Sequence, residues 1–383
     1  MGERLNGAIL YTNVSILCLT RTWLNESRQG PKIRYLEKPC SFNHGMLFPP
    51  MNRYLPLLPF TLILCFAACK PEERPCKLDD EILSMPLSLE IERLEDAFFE
   101  ARGEADFLFL LEKYPDFAEG YLGASGYASK EVLARELQAM HQDTLLLELF
   151  REVRAHFPTV DSLETELEHA FKHIRFHFPD FKVPKVYTFV GGFGSDIYLD
   201  EHILVIGLDY FLPATHRFQP PDLPQYISDR YQKPYIVPMV VTAISAVFNK
   251  TDMRQNTLLA EMIYYGKSYH FTKAILPCTS DEFIIGYSMA EITACFDNEE
   301  FIWAHFVEND LLFETNPFVI RKYTGEAPAT DEISPDAPGR LGRWLGWNIV
   351  DDYAANQDIP LGTLMGETDT EKIFRLSGYK PRP

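Results

Sequence analysis

The stretch PKVYTFVGGFGSDIYLDEHILVIGLDYFL (residues 184–212) decides the fold class. In its first part, residues 184–194, apolar residues alternate with polar ones and the run breaks at glycines, which is the two-residue period of a strand. Residues 196–212 read as a strand pair or one long bent strand. The folded part before this stretch, from residue 88, reads helical. SLEIERLEDAFFEAR (88–102) puts Leu89, Ile91, Leu94, Ala97 and Phe98 on one helix face. DFLFLLEKYP (106–115) is a helix stopped by Pro115, and residues 129–158 hold one or two helices ending at Pro158. Residues 159–179 form another, with Asp161 as N-cap and Glu164 three residues on, the pattern of a capping box. After the stretch come a Pro-rich irregular segment (215–235) and apolar helices over 236–249 and 256–276. An acidic helical region (288–313), a long loop (324–342) and a helix over 343–356 follow. Helices, a small sheet, then helices again predict an α+β domain that is mainly helical, not a doubly wound one.

Charge narrows the partners. The chain of 383 residues carries a formal −19; residues 1–50 are net +3 and residues 51–68 add Arg53, so the body from residue 69 onward carries −23. Such a body repels nucleic-acid phosphates, and it has no basic stripe. Seven cysteines (Cys18, Cys40, Cys65, Cys69, Cys76, Cys278, Cys295) form no C-x-x-C pair and fit no zinc or disulfide framework. Cys278 and Cys295 could pair with each other in an oxidising compartment, but both sit in apolar surroundings and read as buried free thiols.

MNRYLPLLPFTLILCFAACKPEE begins at Met51. Arg53 supplies a positive start, and the apolar run from Leu55 to Ala68 is too short to span a bilayer as a helix but suits a signal peptide. The run ends in FAAC, which resembles the lipobox of bacterial lipoproteins; that resemblance makes Cys69 the lipid attachment site and residues 51–68 the signal. Residues 1–50 then read as an extension ahead of the true start, Met46 or Met51, and the polar, proline-containing residues 69–85 as anchor and tether.

Chemistry-bearing motifs are sparse. His169, His173 and His177 recur every four residues and stack on one side of a helix. The residues between them are Ala-Phe-Lys and Ile-Arg-Phe, not the Glu of H-E-x-x-H, so they read as a polar helix face beside an apolar stripe. There is no G-x-S-x-G elbow, and GGFG (191–194) is too short for a phosphate loop. No cofactor is implied.

Taken in order, ILVIGLDYFL, LLAEMIYYGKSYHF, IIGYSMAEITACFDNEEFIWAHFVENDLLF, PGRLGRWLGWNIVDDYAAN and the terminal SGYKP resemble the GldB-like gliding-motility lipoproteins of Bacteroidetes. That family is in turn similar to predicted zinc proteases of zincin-like fold, in which one helix bears H-E-x-x-H and the next an acidic residue before a Gly. Here the corresponding window, Val241 to Ser245, has no His or Glu, and Tyr265 precedes Gly266. The resemblance thus implies a single domain over residues 86–383 with a protease-like scaffold that lacks the metal ligands. It implies a membrane-anchored envelope protein, on the periplasmic side or in the outer membrane, that serves motility or secretion machinery through protein contacts. Asp209, Tyr210, Tyr264, Tyr265 and Lys267, with the 215–235 loop, would line the partner-binding cleft. The alternative is an active zinc peptidase using His169, His173 and His177 with a distant carboxylate.

Overall fold

The computed structural model describes residues 76–221 and 223–381; the signal peptide, Cys69 and the N-terminal extension lie outside them. The described chain is mainly helical with one four-stranded sheet, as an α+β domain requires. The sheet has the order β1-β2-β4-β3, built from β1 (Ile91–Arg93), β2 (Lys185–Phe189), β3 (Ile197–Leu199) and β4 (Ile203–Gly207). β1, β2 and β4 are parallel, with Val186 opposite both Ile91 and Leu204, and β3 returns antiparallel along β4. Every residue of β4 is buried, so the sheet is covered on both faces; this is why ILVIG is a continuous apolar run instead of an alternating one.

β1 corrects the helix expected over 88–102. Leu89, in the extended lead-in, and Ile91, in the strand, are both buried, and only Leu94–Glu100 is helical. The capping box expected at Asp161 and Glu164 is also absent. The helix begins after Val160, and Glu164 instead accepts a hydrogen bond from the Ile91 backbone N–H (2.9 Å), while Glu168 accepts one from Leu89 (3.2 Å). Two carboxylates one helical turn apart thus serve the free edge of β1, which buries that strand without orphaned donors.

The helices, in chain order, are α1 (Asp80–Leu83), α2 (Leu94–Glu100), α3 (Glu104–Lys113), α4 (Lys130–His141), α5 (Thr144–His156) and α6 (Asp161–His177) before the sheet's main strands. After them come α7 (Gln225–Ser228), α8 (Lys233–Phe248), α9 (Leu258–Ile275), α10 (Asp281–Ile285), α11 (Met289–Asp297), α12 (Glu299–Glu308), α13 (Pro317–Thr324), α14 (Leu341–Gln357), α15 (Leu361–Gly366) and α16 (Thr370–Ser377). The segment 129–158 resolves into two helices because Asp143 caps α5, accepting from the backbone N–H of Leu145 at 2.7 Å.

The second half is organised by α9 and α14, which pack along one another and are buried over most of their length. Their backbones touch at two glycines: a Cβ on Gly266 would lie 2.3 Å from the Gly346 carbonyl oxygen, and one on Gly346 would lie 2.0 Å from that of Met262. Only residues without a side chain permit this approach.

Cys76 and Cys278 form a disulfide across a sequence separation of 202 residues. This corrects the reading of Cys278 as a free thiol: the spacing between two such distant cysteines carries no signal, and only the fold brings them together. Cys295 is free and buried, and burial pushes its thiol up to about 12.

Candidate functional site

The five residues expected to line one cleft fall into three environments. Asp209 and Tyr210 sit in the 3-10 turn that follows β4, under the GGFG turn. Asp209 is buried, and its Oδ2 accepts the Phe193 backbone N–H at 2.7 Å; the Tyr210 hydroxyl donates to the Phe193 carbonyl at 2.6 Å. Phe193 itself is left-handed (φ 66°), a conformation a bulky residue adopts only when it is held there. Burial pushes the Asp209 carboxyl up to about 6, against the pull of the surrounding backbone N–H groups. The pair therefore holds a turn in place.

Lys267 belongs to the interior of the helical half. Its side chain is fully buried, and its ammonium donates to the carbonyls of Met365 (3.0 Å) and Glu367 (2.8 Å) and to the Thr251 hydroxyl (3.2 Å). Burial brings its pKa down to about 7. It clasps the turn after α15 to α9.

Tyr264 and Tyr265 pack edge to face at 5.5 Å, and Tyr265 opens onto a charged cluster that the sequence reading did not single out. The Arg343 guanidinium lies 3.9 Å from the Tyr265 ring centroid. Its Nε donates to the Thr324 carbonyl (2.5 Å) and its Nη1 to Glu326 (3.3 Å). Arg230, from the Pro-rich segment, meets the same carboxylate at 2.6 Å, and Arg340 reaches it at 3.5 Å. Burial works against charge on Glu326, but Arg340, Arg230 and Arg343 outweigh it and hold the carboxyl at about 2. Arg340 also lies over the Tyr287 ring (5.3 Å), whose hydroxyl donates to the Gly339 carbonyl (2.5 Å). The visible trace of this site in the sequence is PGRLGR (338–343), with two arginines three apart at the start of α14, together with Arg230 in a long irregular segment.

Residues 230 and 231 join the two polar networks. Arg230 enters the arginine cluster, while the neighbouring Tyr231 hydroxyl donates to Asp196 at 2.5 Å and its ring lies 5.4 Å from that of Tyr210.

The three histidines do lie on one helix, α6, but in unlike surroundings. His173 is buried with an unpartnered Nε2, and burial first, then His177, lowers its pKa; His169 and His177 are only partly covered. Among the described residues no three His, Cys, Asp or Glu side chains gather where they could hold a metal ion. The window Val241 to Ser245 on α8 is filled by core aliphatics and hydroxyls: Thr242 and Thr272 share a hydrogen bond across α8 and α9 (2.9 Å), and Ser245 donates to the Thr242 carbonyl (2.6 Å).

The family described as gliding motility protein GldB matches residues 75–381. No curated protein and no solved structure matches the chain.

Proposed function

From the premise that this chain belongs to the GldB gliding-motility protein family, we propose that it is a lipid-anchored envelope protein acting through protein contacts on a catalytically degenerate, zincin-like scaffold. The observation that carries the anchoring is positional. The family match begins at residue 75, so the lipobox-like FAAC, ending at Cys69, stands just ahead of the part of the chain that the family covers. The Cys76–Cys278 disulfide supports an oxidising compartment, where such bonds persist. No helix among the described residues is long and apolar enough to cross a membrane.

The degenerate-scaffold reading draws on α8 and α9, which pack together after the strand pair as the resembled proteases require. In this reading Val241, Thr242, Ser245 and Tyr265 take the positions that the sequence resemblance assigns to zinc ligands and a general base. The partner surface in this reading is the region of Tyr265 and the Pro-rich segment. A second reading, a zinc site on α6, has one observation in its favour: the buried, unpartnered Nε2 of His173.

Metabolic labelling with a radioactive fatty acid tests the anchoring in a bacterial host that processes lipoproteins. Wild-type chain takes up label and fractionates with membranes, while Cys69→Ala takes up none and leaves the membrane fraction. Equal labelling of both proteins would refute the assignment of Cys69.

A further inference from the structure

Three guanidiniums converge on Glu326, and one carboxylate neutralises only one of them. Arg340 and Arg343 are 6% and 8% exposed, so the excess positive charge is held largely out of water. Buried charge without a counter-charge is strongly unfavourable. Further contacts are electron-rich but neutral: the Gly286 and Thr324 carbonyls, the faces of Tyr287 and Tyr265, and the Tyr269 hydroxyl, which hydrogen-bonds Arg343. Among the described residues Glu326 is the carboxylate that these guanidiniums ion-pair with; Glu261, which accepts the Thr324 hydroxyl at 2.8 Å, and Glu282 and Glu291 act on the neighbouring tyrosines without an ion pair to the three arginines.

The backbone is shaped to hold this charge. Arg340 is left-handed (φ 67°), a cost normally tolerated only where position matters. Gly286 is also left-handed, and a Cβ there would meet the Arg230 side chain at 2.5 Å. One turn beyond Arg343 on α14, the buried Trp347 Nε1 has no hydrogen-bond partner, and its ring lies 5.5 Å from Tyr269 on α9. The cluster is not sealed: the side chains of Arg230 and Glu326 remain 17% and 18% exposed.

We propose that this cluster is an oxyanion-binding site that takes a carboxylate or phosphate group entering at the Arg230–Glu326 edge, with Glu326 as its resident internal occupant. Planar guanidinium forks suit either group, since each offers paired acceptor oxygens. The inference deepens the partner-surface reading by stating what chemical group the partner presents. It does not depend on anchoring, because simple anions bind or fail to bind whether or not Cys69 is lipidated.

The test uses the full chain and two probes, sodium phosphate and sodium acetate, each exchanged for chloride at constant ionic strength. Binding is read by calorimetric titration and by the rise in melting midpoint. At least one probe should bind saturably, and Arg230→Gln should weaken that binding by roughly 10- to 100-fold, the worth of a charge-assisted hydrogen bond. A preference for phosphate points to a phosphorylated or phospholipid-borne group, and a preference for acetate to a protein carboxylate. Glu326→Gln, which removes the internal competitor, should tighten binding. No saturable binding by folded wild-type protein, or binding unchanged in folded Arg230→Gln, overturns the proposal. Should Arg230→Gln fail to fold, unchanged or weaker binding by Glu326→Gln overturns it.

Discussion

Gly346→Ala isolates the contact that organises the helical half. In an open helix this substitution is favourable by about 1 kcal/mol, because Ala has the higher helix propensity. At position 346 the new Cβ would stand 2.0 Å from the Met262 carbonyl oxygen and 2.5 Å from its carbon. A carbon and a carbonyl oxygen approach to a little over 3 Å at best, so α9 and α14 must separate by roughly 1 Å along this seam. Neighbouring side chains buried in the seam, Leu345 and Ile349 on α14 and Ile263 on α9, would lose packing together. Overpacking of this kind costs about 1–3 kcal/mol, more when backbone has to move, and it must also outweigh the propensity gain. Taking the upper end of that cost, about 3 kcal/mol, less the propensity gain of about 1 kcal/mol, the expected net loss is about 2 kcal/mol, at roughly 2–4 °C of melting temperature per kcal/mol. Gly366→Ala is the internal control, since a Cβ there meets nothing within 4 Å, and its melting temperature should stay level or rise. Thermal unfolding followed by circular dichroism reads both. A Gly346→Ala protein as stable as wild type would show that the two helices do not touch as described.

Three further outcomes follow from the charged and covalent contacts. Glu326 has a folded pKa of about 2 against 4.5 unfolded, so its contribution of about 3 kcal/mol is present above pH 4.5 and lost as pH falls toward 2. Glu326→Gln should flatten that acid limb in melting curves and lower stability at neutral pH. Lys267 gives a slope of the same sign in a higher window, but here the shift is a burial penalty on the charged form: between its folded value near 7 and 10.5 the unfolded chain holds the proton and the folded one does not, so stability rises with pH there. Lys267→Met should abolish that rise between neutral pH and pH 10, and an undiminished slope would show that another group is responsible. Closing a loop of 202 residues, the Cys76–Cys278 bond should stabilise by about 2–5 kcal/mol. Cys278→Ser should melt like wild type in reductant, and reductant should have no further effect on it.

The strands and long helices were legible in sequence because burial writes itself as period. ILVIG is continuous since β4 is covered on both faces, α9 is apolar over much of its surface since most of it is buried, and α14 is buried from Leu341 to Val350 before its polar last turns emerge. β1 was not legible: three residues are too few to show a period of two, and Leu89 and Ile91 fit a helical stripe equally well. Asp161 and Glu164 matched a capping pattern, but tertiary demand from the β1 edge claimed Glu164. The candidate site was half visible. Tyr265 and the Pro-rich segment were found, while Lys267 looked available and proved to be buried under α15. The pairing of Arg230 with Glu326, 96 residues away, leaves no local pattern to read, and neither does the Cys76–Cys278 bridge.

The central claim, a protease-like scaffold that works without protease chemistry, is tested most directly by the zinc content of the full chain purified from zinc-supplemented cells. The account predicts substoichiometric zinc, unchanged when His173 and His177 are replaced by Ala. One zinc per chain in the wild type, lost from that double variant, would contradict it and make α6 a metal site.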